Sequence, residues 1–232
     1  MWSPALAIAP FTFGMLGQVI FIVGLFKGQT YVVLSIAFLP DGTHVVSGSG
    51  DCTIHVWNAR TSELVVPPFE GHTYAMLSVV FSPDGTCVVS SPEDCIIYIW
   101  NFGTAGELIT GPFEGHTHAV LCTMFSPDGT CVVSGSHNCT ICIWNTGTGK
   151  VVAIPFEGYK RVLSTPFSSD GLHGISGSDN HTICIWDTGV NQMVQVACTC
   201  DGQQHQPLLL PVQQIDREWI QVPVMQWCVL GI

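Results

Sequence analysis

The sequence has few charged residues, and most of those it has are acidic. Only 10% of its 232 residues are charged, and six lysines and arginines stand against 17 aspartates and glutamates, for a formal net charge of −11. Typical soluble domains carry about 25% charged residues. So few basic residues offer little with which to hold the phosphates of a nucleic acid or an anionic membrane surface. We therefore expect neither as a partner.

The sequence also lacks motifs that often mark an enzyme or a secreted domain. It has no Gly-x-x-x-x-Gly-Lys-Ser/Thr phosphate loop and no motif for an exposed nucleophile, so we expect no enzyme and no cofactor. Eleven cysteines are present, but the number is odd and no basic leader with a cleavage site precedes them. We interpret them as thiols in a reducing compartment and expect a cytoplasmic protein.

What the sequence does have is a twelve-residue segment that occurs four times. It reads "SGSGDCTIHVWN" from Ser47 and returns in altered form at Ser90, Ser134 and Ser176. The tryptophans near its end lie 43, 44 and 42 residues apart, and a phenylalanine upstream keeps the same spacings. A period of about 40 to 45 residues, with short β-branched runs, is typical of a four-stranded propeller blade.

Each unit is predicted to form a small antiparallel sheet. In the second unit, a strand through Phe81 meets the turn "SPDG", in which Pro83 presets φ and Gly85 accepts a positive φ. A return strand, a second tight turn, the run "CIIYIW" and an outer strand in "ELITGPFEG" follow. Such a sheet has two apolar faces, so it must stack against neighbours to bury them.

These features resemble the WD repeat, a β-propeller blade with a Gly-His opening and a Trp-Asp close. The second unit carries Gly71-His72, the Ser-Pro-Asp-Gly turn and Trp100-Asn101, and "PFEGHT" and "FSPDGT" look most like the WD arrays of fungal proteins. The resemblance spans residues 24–190 and implies an all-β fold of four propeller blades. We interpret residues 1–23 as an ill-defined apolar leader and 191–232 as a degenerate repeat or a tail.

Four units lie at the lower limit of the roughly 4 to 8 blades found in closed propellers. Because the resembled family usually has more, we predict an incomplete or open propeller, either a fragment of a longer array or an open arc. An open arc exposes apolar faces and strand edges at both ends. We therefore predict that the isolated chain self-associates through its open blade edges or is poorly soluble.

The resemblance implies a hydrogen-bond network of His, Ser, Asp and Trp inside each blade. The second unit supplies all four residues, as His72, Ser90, Asp94 and Trp100. The other units supply Ser47, Asp51 and Trp57; His116, Ser134 and Trp144; and Ser176 and Trp186. Since an asparagine replaces the aspartate at Asn138 and Asn180, we expect weaker blades there. The same residue types form hydrolase triads, but here they end on a tryptophan inside the blade, so we interpret them as structural.

Cysteine and histidine pairs leave zinc as an alternative interpretation of two segments. Cys139-x-x-Cys142 and His181-x-x-Cys184 have the spacing of zinc ligands. Residues three apart on a strand point to opposite faces, so one metal would not meet both without a turn. We predict no metal site.

The nearly uncharged run from Pro4 to Phe26 is long enough to suggest a membrane anchor. Against this, it contains Pro10 and several glycines, and "GLFKGQT" at its end aligns with the outer-strand segment "GPFEGHT". We favour a degraded outer strand, and a membrane-anchored WD-repeat protein is the alternative.

The resemblance implies a protein–protein interaction scaffold, with partner contacts on one rim of the propeller. The predicted contact residues follow the Gly-His step or precede the turn aspartate. They are Tyr31, Tyr74, His118 and Arg161 at the first location, and Gly50, Glu93, His137 and Asp179 at the second. Loops on a rigid frame are where recognition usually occurs. A truncated repeat remnant without a retained partner is the alternative.

Overall fold

The computed structural model describes residues 25–104, 106–152 and 160–188, together with the backbone of residues 14–15, 18–19 and 192–198. This part of the chain consists of strands and turns, without a helix. Two short strands, β1 (Gly14–Met15) and β2 (Gln18–Val19), pair with each other. Most of the predicted leader and of the predicted tail lies outside the described residues.

The remaining strands form four antiparallel sheets, each in chain order. The first contains β3 (Val33–Phe38), β4 (His44–Ser49) and β5 (Ile54–Asn58). The second contains β6 (Met76–Phe81), β7 (Cys87–Pro92), β8 (Ile97–Asn101) and β9 (Glu107–Phe113). The third contains β10 (Val120–Phe125), β11 (Cys131–Ser136) and β12 (Ile141–Asn145). The fourth contains β13 (Val162–Ser164), β14 (His173–Ser178), β15 (Thr182–Asp187) and β16 (Gln192–Cys198).

These sheets are the predicted blades, and the all-β fold class is confirmed. We number them blades 1 to 4 in chain order. The innermost strands β3, β6, β10 and β13 are neighbours in that order, so consecutive blades stack on one another. The fourth blade continues past the predicted boundary at residue 190, because β16 pairs with β15 along its whole length.

Among the described residues, isolated bridges extend the two three-stranded blades on their outer side. In blade 1, Ile54 pairs with Phe69 and Trp57 with Leu64, and in blade 3, Trp144 pairs with Val151. At these bridges the chain follows the path of an outer strand.

The hairpin turn between the first two strands of blade 2 is held by its aspartate. Asp84 Oδ1 accepts hydrogen bonds from Ser82 Oγ at 2.5 Å and from the backbone N–H of Thr86 at 3.1 Å. Gly85 has φ of +74°, as the predicted turn requires. The hydrogen bonds from Ser82 and Thr86 lower the pKa of Asp84. The turn therefore sets the register of the hairpin.

The turn between the second and third strands places a non-glycine residue in the left-handed region. The residues at this position are Cys52, Cys95, Cys139 and His181, with φ between 65° and 72°. Left-handed backbone costs an L-residue roughly 1 to 2 kcal/mol. These side chains thus stand at one repeated turn, where they are exposed or half-buried.

The core lies between the blades. We call the face of a blade that is turned toward the next blade its front face, and the opposite one its back face. At the first junction, Val46, Ile54, Val56 and Phe69 of blade 1 pack against Met76, Val79, Phe81, Val88 and Trp100 of blade 2. Equivalent residues form the second and third junctions. Blades bury their apolar surface by stacking, as the repeat predicted.

The start of the described chain repeats one of these contacts. The ring of Phe26 lies 5.7 Å from that of Trp57, in the same way that Phe69 lies 6.0 Å from Trp100 and Phe113 lies 5.6 Å from Trp144. This supports the alignment of "GLFKGQT" with an outer strand. Within the described residues, no helix has the length and apolar character that a membrane span requires.

Candidate functional site

A serine hydroxyl joins histidine and tryptophan inside blades 2 and 3. In blade 2, Ser90 Oγ lies 2.6 Å from His72 Nε2 and accepts a hydrogen bond from Trp100 Nε1 at 2.7 Å. In blade 3, Ser134 Oγ makes the same two bonds, at 2.6 Å to His116 Nε2 and 2.7 Å to Trp144 Nε1. The repeat thus positions one hydroxyl at the same place in each blade.

Blade 1 keeps the tryptophan bond and replaces the histidine. Trp57 Nε1 donates to Ser47 Oγ at 2.8 Å, while Gln29 Nε2 donates to the backbone oxygen of Ser47 at 3.2 Å. Asp51 accepts from Thr53 Oγ1 at 2.6 Å and from Thr30 N at 2.7 Å, which ties the turn to the start of the blade. Burial alone would raise the pKa of Asp51, but these hydrogen bonds outweigh it and lower that pKa.

The expected link from the turn aspartate to the histidine differs in blade 2. His72 Nδ1 is buried and has no hydrogen-bond partner among the described residues, while Asp94 Oδ1 accepts from the backbone N–H of Ile96 at 3.2 Å. The network there therefore has three members, where we predicted four. Burial raises the pKa of Asp94, and its backbone hydrogen bonds do not offset this.

Blade 3 shows what the sequence interpretation missed. Thr140 Oγ1 lies 3.2 Å from His116 Nδ1 and donates to Asn138 Oδ1 at 2.7 Å. The residue two positions after the turn aspartate or asparagine therefore completes the network in this blade. In blade 2 that position holds Ile96, which has no hydroxyl to offer to His72 Nδ1. The signal was present as threonine at this repeat position in the other three units.

Burial holds both network histidines in the neutral form. It lowers the pKa of His72 to about 4, and that of His116 to about 4 against a weaker opposing effect of Asn138. Each ring is therefore uncharged near pH 7 and bonds the serine hydroxyl as a neutral imidazole.

Blade 4 departs from the predicted pairing of Ser176 with Trp186. Ser176 Oγ is buried without a hydrogen-bond partner among the described residues. The position that is valine in the other blades is Gly174, and a Cβ built there would overlap the Trp186 ring. The indole therefore occupies the space that a valine side chain fills in the other blades. Its ring contacts Phe167 at a centroid distance of 5.6 Å.

The serine–histidine pairs are inaccessible to a substrate, and the described residues contain no cluster of zinc ligands. Ser90 and Ser134 have no exposed surface, so no reacting atom can approach their hydroxyls. Within the part of the chain that the structure describes, no group of three or more His, Cys, Asp and Glu residues could hold a metal. Cys139 stands at the exposed turn, while Cys142 is buried 4.0 Å from His116 Nδ1.

The two predicted rim locations meet within each blade. In blades 1 to 3, the backbone N–H of the second location donates to the residue that follows the first: Gly50 N to Val32 O at 2.8 Å, Glu93 N to Ala75 O at 3.2 Å, and His137 N to Ala119 O at 2.9 Å. In blade 4, Asp179 N donates to Arg161 O itself at 3.2 Å. The strand register therefore brings the segment after the Gly-His step beside the residue before the turn aspartate or asparagine.

Side chains at these locations also contact one another. In blade 3, the rings of His118 and His137 lie 6.0 Å apart. In blade 4, Arg161 Nε lies 3.2 Å from Asp179 Oδ2. In blade 1, the Tyr31 ring covers Gly50, where a Cβ would come within 2.6 Å of it.

Four of the predicted rim residues line one shallow groove that spans three blades. Its volume is about 520 Å³. Glu93 of blade 2, His118 and His137 of blade 3, and Arg161 of blade 4 supply its carboxyl, imidazole and guanidinium groups. Its remaining lining residues are Leu77, Cys95, Thr117, Ala119 and Leu121. Tyr31 and Tyr74 are exposed and do not line this rim groove.

Antiparallel blades that stack front to back, each built around a central serine, define a repeat protein of the β-propeller class. The family model described as WD domain, G-beta repeat matches residues 21–58, 64–101, 107–145 and 149–187. This chain therefore belongs to the WD40 repeat family, whose members are in general protein-interaction scaffolds and not catalysts. A comparison with curated proteins gave no match.

Proposed function

We propose that this chain is a non-catalytic scaffold that binds another protein through the rim groove, with Tyr31, Tyr74, Gly50 and Asp179 at its margins. The observation that supports this is the convergence of side chains from blades 2, 3 and 4 on one concave surface. Its polar residues Glu93, His118, His137 and Arg161 lie on loops that rigid strands hold in place.

The chemistry of the groove suits a polypeptide partner. Glu93 supplies an acceptor, Arg161 a guanidinium, and His118 and His137 two imidazoles, above the half-buried side chains of Leu77 and Leu121. Arginine and aromatic side chains are the residue types that most often anchor protein interfaces. A peptide or loop with both polar and apolar side chains would match this surface, in a compartment that keeps the turn thiols reduced.

The test compares capture of partner proteins by the native chain and by matched arginine variants. Arg161→Ala removes a groove side chain, and Arg60→Ala removes an exposed arginine at a turn outside the groove. We expect partners retained by the native chain and by Arg60→Ala to be lost with Arg161→Ala. Because Arg161 is exposed and its ion pair with Asp179 lies at the surface, the unfolding midpoint should barely change.

The alternative, a repeat remnant without a partner, gives a different result. It predicts that the native chain and both arginine variants retain the same proteins. That outcome would refute binding through the rim groove.

A further inference from the structure

Blade 1 has an apolar back face that none of the blades in the described part of the chain covers. Val33, Ile36 and Phe38 of β3 are 36%, 44% and 56% exposed. The equivalent residues of blade 2 are Met76, Val79 and Phe81, which are 0%, 1% and 4% exposed because blade 1 packs on them. The back face of blade 1 thus carries the apolar residues of a buried junction, but these residues are exposed to solvent.

Blade 4 has the complementary front face. Its residues are Ile175, Ile183 and Ile185, of which Ile183 is 39% exposed and the other two are half-buried. The equivalents of Ile183 in blades 1 to 3, namely Ile54, Ile97 and Ile141, are each 0% exposed. Blade 4 therefore keeps the residues with which a blade packs onto its successor.

We propose that a second copy of this chain covers both faces, with blade 1 of each copy packed on blade 4 of the other. Every junction inside the chain joins a front face to a back face, so the two free faces match in the same way. A head-to-tail contact closes into a ring when its rotation permits. Two copies supply eight blades, within the roughly 4 to 8 of closed propellers.

Hydrogen bonds between the innermost strands of consecutive blades define the register that the proposed junction adopts. Ser35 Oγ of blade 1 accepts from Val79 N of blade 2 at 3.0 Å, and Ser78 Oγ of blade 2 accepts from Thr123 N of blade 3 at 3.1 Å. The corresponding serine of blade 4 is Ser164, which is exposed on β13. In the ring it accepts a hydrogen bond from the Ile36 N–H of the second copy.

Sedimentation equilibrium of the full chain tests the ring. The expected mass of the native chain is twice its 25.1 kDa. Ile36→Glu on the back face and Ile183→Glu on the front face each place a charge in both junctions, and should weaken the dimer at least about 100-fold. Ile109→Glu is the matched control, since Ile109 is 48% exposed on the outer strand β9 and should leave the mass unchanged. Circular dichroism checks that each variant is folded.

Mixing the two face variants tests the head-to-tail direction. In the mixture, the intact front face of the Ile36→Glu chain meets the intact back face of the Ile183→Glu chain, so dimers should reappear. A native chain of monomer mass would overturn the proposal, as would open-ended polymers, a control that dissociates equally, or a mixture that stays monomeric.

Discussion

Acid should weaken this protein through two histidines that are buried in the neutral form. Burial lowers the pKa of His72 and of His116 to about 4, whereas an unfolded histidine titrates near about 6.5. Because the unfolded chain takes up these protons first, their contribution to stability is complete above about pH 6.5 and is lost as pH falls toward 4. Between pH 7.5 and pH 5.5, each histidine should lower the free energy of unfolding by about 1.3 kcal/mol, and the pair by about 2.7 kcal/mol.

The assay is urea unfolding followed by tryptophan fluorescence at pH 7.5, 6.5 and 5.5, at one protein concentration. The test variant is the double substitution His72→Gln and His116→Gln, since Gln29 already occupies this position in blade 1. Over this pH range, the free energy of unfolding of the double variant should fall by about 2.7 kcal/mol less than that of the native chain. Replacing the exposed rim histidines His118 and His137 with glutamine is the control, and should leave the native pH dependence in place. If the test variant and the native chain lose equal stability, the buried neutral histidines are not its cause.

Further predictions concern single blades. Ser90→Ala should destabilise the chain by about 1 to 3 kcal/mol because it leaves the buried tryptophan and histidine without their hydrogen bonds to the serine. The control Ser91→Ala should be near neutral, since Ser91 Oγ has no hydrogen-bond partner among the described residues. Equal effects of the two substitutions in urea unfolding would contradict this. Phe113→Ala should cost about 3 to 5 kcal/mol at the second junction, and a loss below about 1 kcal/mol would refute its packing there. Cys142, whose pKa is raised to about 11 by burial, should resist alkylation at pH 8 far longer than the half-buried Cys139, as mass spectrometry of the native chain can show. Tyr74→Ala should weaken partner binding by about 1 kcal/mol or more with an unchanged unfolding midpoint, and a matching loss of stability would assign Tyr74 to the blade.

The blade architecture could be predicted because each signal repeats and depends on local chemistry. The Ser-Pro-Asp-Gly turn sets a hairpin by itself, through hydrogen bonds of Asp84 to residues two positions away. The apolar runs then fix which faces must stack. Four copies of the same pattern made the fold class independent of any single residue.

The network inside each blade could be predicted only in part, because it depends on side chains outside the pattern. Asp94 stands where the repeat places it, yet Ile96 leaves no hydroxyl beside the ring of His72. In blade 4, Gly174 stands where the other blades have valine, and the indole of Trp186 occupies the space of the missing side chain. Such outcomes depend on the volume of a neighbour.

The rim, too, could be predicted from the sequence only in part. The repeat identified eight positions, one pair in each blade, but which of them line a common groove depends on how consecutive blades rotate about the axis. Glu93, His118, His137 and Arg161 meet in the groove, while Tyr31 and Tyr74 lie outside it. The spacing of residues in the sequence carries no information about that rotation.

The most direct test of a scaffold that binds through its rim is hydroxyl-radical footprinting of the chain with and without a captured partner. The partner should protect the groove residues Leu77, His118 and His137 from oxidation. Oxidation should be unchanged at Pro83 and Pro127, which belong to the hairpin turns outside the groove. Protection of those turns with an unprotected groove would contradict binding through the rim.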